Sequence, residues 1–255
     1  MLKIGIICAM SEEYTAILEK MKEVSCYNWR QCQVSSGKIH DIPVFLILSG
    51  VGKVYAALAT YYLIEKENVD VILVTGLAGA IFSQLQIGDI VLAEQTIAHD
   101  SWIPLYSRIQ NSDSVPGAAR PYYADPLLLQ SFAKALQSNT FVYVDRFNNL
   151  TESKINIGMV LTGDKTISSL DQITSEILEL YQAKCVDMET GAVYQAAAFF
   201  HIPCVAIRCI SDQIGKSSPL DILRNMRVLC HHLADIIDKS LSVMLQEYLS
   251  LIGRN

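Results

Sequence analysis

The 255-residue sequence contains no C-x-x-C pair, no H-E-x-x-H motif, no basic run and no apolar segment long enough to cross a bilayer. Each absence removes a class of function. The cysteines (Cys8, Cys26, Cys32, Cys185, Cys204, Cys209 and Cys230) are odd in number and scattered. Disulfide frameworks and zinc knuckles need close, regular spacing, so these read as reduced thiols, mostly in the core, of a cytoplasmic protein. His40, His99, His201, His231 and His232 form no ligand set, so no metal is expected. The net charge of −6 gives no electrostatic pull toward a phosphate backbone, and nucleic acid is not an expected partner. A spanning helix needs about 20 apolar residues, so no membrane association is expected. The opening MLKIGIICAM has a short apolar run, a single Lys3 and acidic Glu12 and Glu13 directly after it; it reads as a first buried strand, not a signal peptide. Two cofactor motifs also fail. Gly52-Lys53 is followed by Val54 where a phosphate loop needs Ser or Thr, and Tyr55 stands where a dinucleotide fingerprint needs its third glycine. No cofactor is expected.

What is present is apolar surface: 51% of residues are hydrophobic and 18% charged, enough for one sizeable core. Apolar runs alternate with helical periods. KIGIICAM, VFLILSGVG, DVILVTGLAGA, IGDIVLAEQTIAHD, NIGMVLTGDKTI and PCVAIRCISD read as strands, DVILVTGLAGA ending in a glycine turn. EEYTAILEKMKEV, with Ile17, Met21 and Val24 at helical spacing, reads as a helix, as does KVYAALATYYLIEKE. KCVDMETGAVYQAAAFF runs from strand into helix, and residues 220–252 form a helix with Ile222, Met226, Leu229, Leu233 and Ile237 on one face. Continuous Val/Ile/Leu strands between helices indicate an α/β fold with a buried, mainly parallel sheet. No composition break divides the chain, so a single domain over residues 1–255 is expected. The irregular stretch from Ser101 to Pro126 reads as a long loop, either surface decoration or a lid or subunit contact.

In α/β sheets ligands sit beyond the carboxyl ends of strands. Four strands end in unusual chemistry: AMSEE, TGLAGA, VDMET and RCISD. VDMETGAV is the most pointed, because small and apolar residues surround Asp187, Glu189 and Thr190, and a core position does not favour a Glu. A crevice lined by all four ends would give Glu189 a polar ligand to face. Three of the four ends also have plainer readings. Glu12 and Glu13 suit a helix N-terminus, TGLAGA suits a tight turn, Asp212 suits a turn cap, and Arg208 suits a structural ion pair.

At these residues the sequence resembles the purine nucleoside phosphorylase superfamily, and within it the bacterial 5′-methylthioadenosine/S-adenosylhomocysteine nucleosidases. IGIICAMSEE, SGVGKVYAA, TGLAGA, IGDIV, HD, TGD, VDMET and RCISD occur in the family's order. The resemblance implies a mixed, barrel-like sheet flanked by helices, a homodimer whose partner lends a loop to the site, and hydrolysis of the bond between adenine and ribose. It further implies roles. Glu13 matches the glutamate that activates water, and Asp212 the acid that protonates adenine N7. Met188 and Glu189 match the pair beneath the ribose. Arg208 and Ser211 match positions supporting the water side and the acid. Gly79 matches a ligand-contacting glycine, and Ile167 the residue whose backbone reads the adenine edge.

Three positions depart from the family pattern: Leu77 replaces a serine near the water, Thr166 an aromatic that stacks on adenine, and Leu220 a phenylalanine of the pocket wall. A carboxylate-rich first loop disfavours a phosphate nucleophile, because like charges repel. A phosphorylase is therefore a weaker reading than hydrolysis. A nucleosidase for another purine nucleoside, such as a futalosine-type compound, and an inactive nucleoside-binding protein are further alternatives.

Overall fold

The computed structural model describes residues 2–101, 120–217 and 219–253. Most of the Ser101–Pro126 loop, and with it any lid or subunit-contact role, lies outside them. The chain runs β1 (Ile4–Cys8), α1 (Ser11–Leu18), β2 (Lys22–Trp29), β3 (Cys32–Ile39), β4 (Ile42–Leu48), α2 (Lys53–Glu65), β5 (Val71–Ala80) and β6 (Ile90–Ala98). It continues with β7 (Tyr122–Tyr123), α3 (Pro126–Gln137), β8 (Val142–Val144), β9 (Leu150–Glu152), β10 (Ile155–Thr162) and α4 (Ser175–Tyr181). The last elements are β11 (Cys185–Asp187), α5 (Thr190–Phe199), β12 (Cys204–Gln213) and α6 (Pro219–Leu251).

The main sheet follows the order β11-β10-β6-β12-β5-β1-β4-β3-β2, and β11 also pairs with β5. That last pairing closes β5, β12, β6, β10 and β11 into a ring, which is the expected barrel-like sheet. Pairing is parallel for β1–β4, β1–β5, β5–β12, β6–β10 and β10–β11. It is antiparallel for β2–β3, β3–β4, β6–β7, β6–β12 and β5–β11. The sheet is thus more evenly mixed than the continuous apolar runs suggest. Those runs report burial on both faces, and burial does not depend on strand direction.

Ile4, Ile6, Val44, Leu46, Ile72, Val205 and Ile207 are fully buried, and each such side chain stabilises the fold by about 1.5–3 kcal/mol relative to exposure. Leu229, Leu233 and Ile237 of α6 bury the face expected from their spacing.

Two local expectations are corrected, and one helix start is added. The first helix ends at Leu18, and Lys22–Trp29 is a strand paired with β3. Val24 therefore sits in that strand, exposed; its helical spacing from Ile17 carried too little signal to fix the boundary. TGLAGA is not a turn: β5 continues through it to Ala80. The Asp125-Pro126 pair starts a helix, with the Asp125 carboxylate accepting from the Leu128 amide at 2.8 Å, a start signal that was legible in the sequence.

Candidate active site

A cavity of about 420 Å³ opens where β1, β5, β11 and β12 end. Glu13, Gly79, Ile167, Met188, Glu189, Ser211 and Asp212 all line it. Leu77, Lys165, Thr166, Ile222 and Met226 share the lining. The four strand ends therefore meet, although not because they point one way. β11 runs antiparallel to β5, with Cys185 opposite Ala80 and Val186 opposite Gly79. The long β5 carries its far half across the barrel mouth, and β11 returns along it.

Glu13 is the third residue of α1 and is 4% exposed. Its Oε2 accepts from the amides of Ala9 and Met10, each at 3.0 Å, and its Oε1 from the amide of Leu77 at 2.9 Å. The helix-terminus reading of this residue is thus correct as geometry, and the same carboxylate also reaches β5. Burial pushes its carboxyl up, opposed by the Arg208 guanidinium and by the three amides. Glu12 points outward to the Ser11 hydroxyl. Gly76 is needed for this arrangement. A Cβ there would lie 2.5 Å from Arg208 Nη1 and 2.6 Å from Glu13 Oε1, closer than any side chain tolerates.

Arg208 does not line the cavity. It is 1% exposed and lies behind the wall, with Nε 2.8 Å from Asp187 Oδ2 and Nη2 3.5 Å from Glu189 Oε2. Its Nε and Nη2 both donate to Thr190 Oγ1, at 3.1 and 3.0 Å. Asp187 also accepts from Thr162 Oγ1 at 2.6 Å, from the Thr190 hydroxyl, and from the amides of Glu189 and Thr190 at 3.3 Å. These bonds answer the question raised by VDMET. Asp187 is the structural partner of Arg208, while Glu189 is left to face the cavity.

Glu189 Oε1 accepts from the amide of Gly52 at 3.0 Å. Burial is the main cause that pushes its carboxyl up to about 7, with Arg208 opposing and the negative charge of Asp187 reinforcing. Asp212 sits at a bulge in β12, opposite Gly79. The Ser211 hydroxyl donates to its Oδ1 at 2.6 Å, and burial raises its carboxyl against that bond. Three carboxyls of raised proton affinity thus share one cavity, a grouping characteristic of acid–base sites.

Leu220 is not part of the wall: it is 61% exposed, and Ile222 and Met226 of the same helix line the cavity instead. Thr166 and Leu77 do line it. The sequence reading gave no role in the site to Gly52, Thr162 or Thr190. Asp187 followed by a helix start is an Asx-turn pattern that could have exposed Thr190, whereas Gly52 and Thr162 reach the site only through tertiary contacts. Among the described residues no group of His, Cys, Asp and Glu could hold a metal ion, and no helix is long and apolar enough to cross a membrane.

The family profile of the phosphorylase superfamily matches residues 3–242. A 5′-methylthioadenosine/S-adenosylhomocysteine nucleosidase of Geobacillus sp. (strain WCH70) is 30% identical over 239 residues, covering 92% of this chain and 96% of that protein. The crystal structure of such a nucleosidase from Colwellia psychrerythraea 34H, in complex with adenine, matches with a TM-score of 0.81 at 26% identity, covering 95% of this chain and 96% of the other. Futalosine hydrolase of Helicobacter pylori shares the fold, with a TM-score of 0.79 at 23% identity and coverage of 96% and 98%. With the profile spanning nearly the whole chain, the protein belongs to the phosphorylase superfamily and, within it, to the 5′-methylthioadenosine/S-adenosylhomocysteine nucleosidase family.

Proposed function

We propose that this protein hydrolyses the N-glycosidic bond of 5′-methylthioadenosine, S-adenosylhomocysteine or both, releasing adenine. The observation that carries the reading is the grouping of Glu13, Glu189 and Asp212 around one cavity, each carboxyl raised by burial. Cleavage builds positive charge on the sugar and negative charge on the departing base. Glu13 takes a proton from water, whose oxygen forms the new bond to the anomeric carbon. As the carbon–nitrogen bond breaks, its electron pair moves onto adenine, and Asp212 delivers a proton to N7. Two carboxyl groups in these roles resemble the arrangement of inverting glycosidases. Asp212 must keep its proton near neutral pH, and burial acts in that direction.

Glu189 accepts from the ribose hydroxyls and, when ionised, places negative potential beside the oxocarbenium-like sugar. Met188 packs beneath that sugar. Gly79 and the backbone of Ile167 contact the base, and Ser211 orients Asp212. Arg208 acts from behind the wall, steadying Glu13 and Glu189 electrostatically.

The protein acts as a single domain in the cytoplasm, as a homodimer. Supporting the dimer, Val54, Ala57, Phe199 and Phe200 line a groove of about 530 Å³ between α2 and α5, with Val54 69% and Phe199 77% exposed. A second copy would cover that apolar face. A monomer in sedimentation at micromolar concentration would refute this part.

The test of activity is a panel of purine nucleosides scored for free base, with and without phosphate. Adenine with free methylthioribose, at a rate independent of phosphate, is the expected result. Sugar phosphate as the main product would make the protein a phosphorylase. Turnover of a futalosine-type compound alone would move the assignment to the second reading, and turnover of none would leave a binding protein.

A further inference from the structure

Two motifs of the resemblance, HD at Asp100 and TGD at Asp164, lie outside the cavity wall. Both aspartates converge on Lys53. Its Nζ is 2.5 Å from Asp100 Oδ1 and 3.5 Å from Asp164 Oδ2, and the Asp164 amide donates to Asp100 Oδ2 at 2.8 Å. The three residues come from the start of α2, the turn after β6 and the segment after β10.

The start of α2 has an unusual requirement. Its capping position is Gly52, at φ 101°, which has no side chain to satisfy the first amides. Asp164, 111 positions away, does so instead: the Lys53 amide donates to its Oδ1 at 2.9 Å. One residue earlier, the Gly52 amide donates to Glu189 Oε1 at 3.0 Å. A single turn of backbone thus holds two carboxylates, one belonging to this ionic knot and one to the cavity. The segment 165–168, which follows Asp164 directly, also lines the cavity.

We infer that Asp164 is a positioning residue: by capping α2 through the Lys53 amide, braced by Lys53 and Asp100, it holds the Gly52 amide on Glu189 and so fixes the orientation of the Glu189 carboxylate. The functional part rests on Glu189 gripping the ribose hydroxyls. The side chain of Asp164 is 50% exposed, and ion pairs of that exposure add little to global stability. The effect therefore falls on geometry, where small displacements in a site carry large kinetic penalties.

Asp164→Ala tests it. The variant keeps its fold, and its kcat/KM for the nucleoside falls about tenfold or more. Its preference for ribo over 2′-deoxyribo substrate narrows, and hydrogen exchange at the Gly52 and Lys53 amides quickens. Asp164→Asn retains the acceptor oxygen and restores most of the loss. Lys53→Met keeps the backbone amide and removes only the brace, so it falls between. Asp235→Asn, which breaks the comparable 2.5 Å Lys20–Asp235 pair elsewhere, changes none of these readings. Unchanged Gly52 exchange in Asp164→Ala overturns the inference, as does lost activity with an unchanged sugar preference. If the wild type releases no base from any nucleoside, the reading of function fails instead, and amide exchange at Gly52 still decides whether Asp164 positions the turn.

Discussion

The corner between β11 and α5 and the rim formed by α1 and the end of β12 both bury carboxylates, to opposite purposes. At the corner, Asp187 meets a guanidinium, two hydroxyls and two amides. At the rim, Glu13 receives three amides and Asp212 one hydroxyl, and burial prevails at both. A buried charge with many partners holds structure together. A buried carboxyl whose proton affinity has been raised is available for proton transfer.

The largest test breaks the corner. Arg208→Met leaves Asp187, Glu189 and Glu13 without their shared cation, and removing one partner of a buried pair costs about 3–5 kcal/mol. Thermal denaturation should show a large drop in Tm, with activity lost through the fold. Breaking the rim has the opposite signature. Asp212→Asn preserves size but removes the proposed proton donor, so kcat is expected to fall about 10²-fold or more while Tm stays near that of the wild type. Near-normal turnover would remove Asp212 from the mechanism.

A smaller effect sharpens the base-binding side. Thr166→Phe restores an aromatic to the wall, and stacking on a base is worth about 1–3 kcal/mol in single-stranded nucleic-acid sites. A lower Michaelis constant for adenosine-type substrates is expected. An unchanged or higher value, with the fold intact, would displace adenine from the place assigned to it beside Thr166.

A further effect, on stability and not on turnover, is one of pH. The folded state holds the Glu189 proton up to about 7, whereas an unperturbed glutamate releases it near 4.5. Between those values the folded chain binds more protons than the unfolded chain, so this residue's contribution to stability declines as pH rises. Arg208, Asp187, Glu13 and the Gly52 amide all face the group and set the size of the effect. Glu189→Gln cannot ionise, so its Tm relative to the wild type should rise between pH 5 and pH 8. A constant difference would show that Glu189 is ionised throughout.

Much of this comparison was legible in the chain itself. VDMET and RCISD mark both regions, because polar residues directly after a buried strand need a compensating partner or a ligand. The plain reading of Arg208 as a structural partner of an acid proved right in geometry, and Glu13 proved to be both a helix-terminus residue and a wall of the cavity. Less legible were the short elements. β2 was hidden in an apparent helical period, and β8 and β9 are too short to carry a pattern. Leu220 matches a wall position of the family pattern, yet α6 turns Ile222 and Met226 inward instead.

By itself the sequence determined the α/β class, the apolar strands, the long final helix and the residue types gathered at the strand ends, since each depends on local composition and periodicity. The closing of β11 against β5, the choice of Asp187 over Glu189 as the main partner of Arg208, and the capping of α2 by an aspartate 111 positions away belong to the tertiary structure alone. Such choices depend on which buried groups come within hydrogen-bonding distance once the barrel closes, and distance in space is not written in the spacing of residues along the chain.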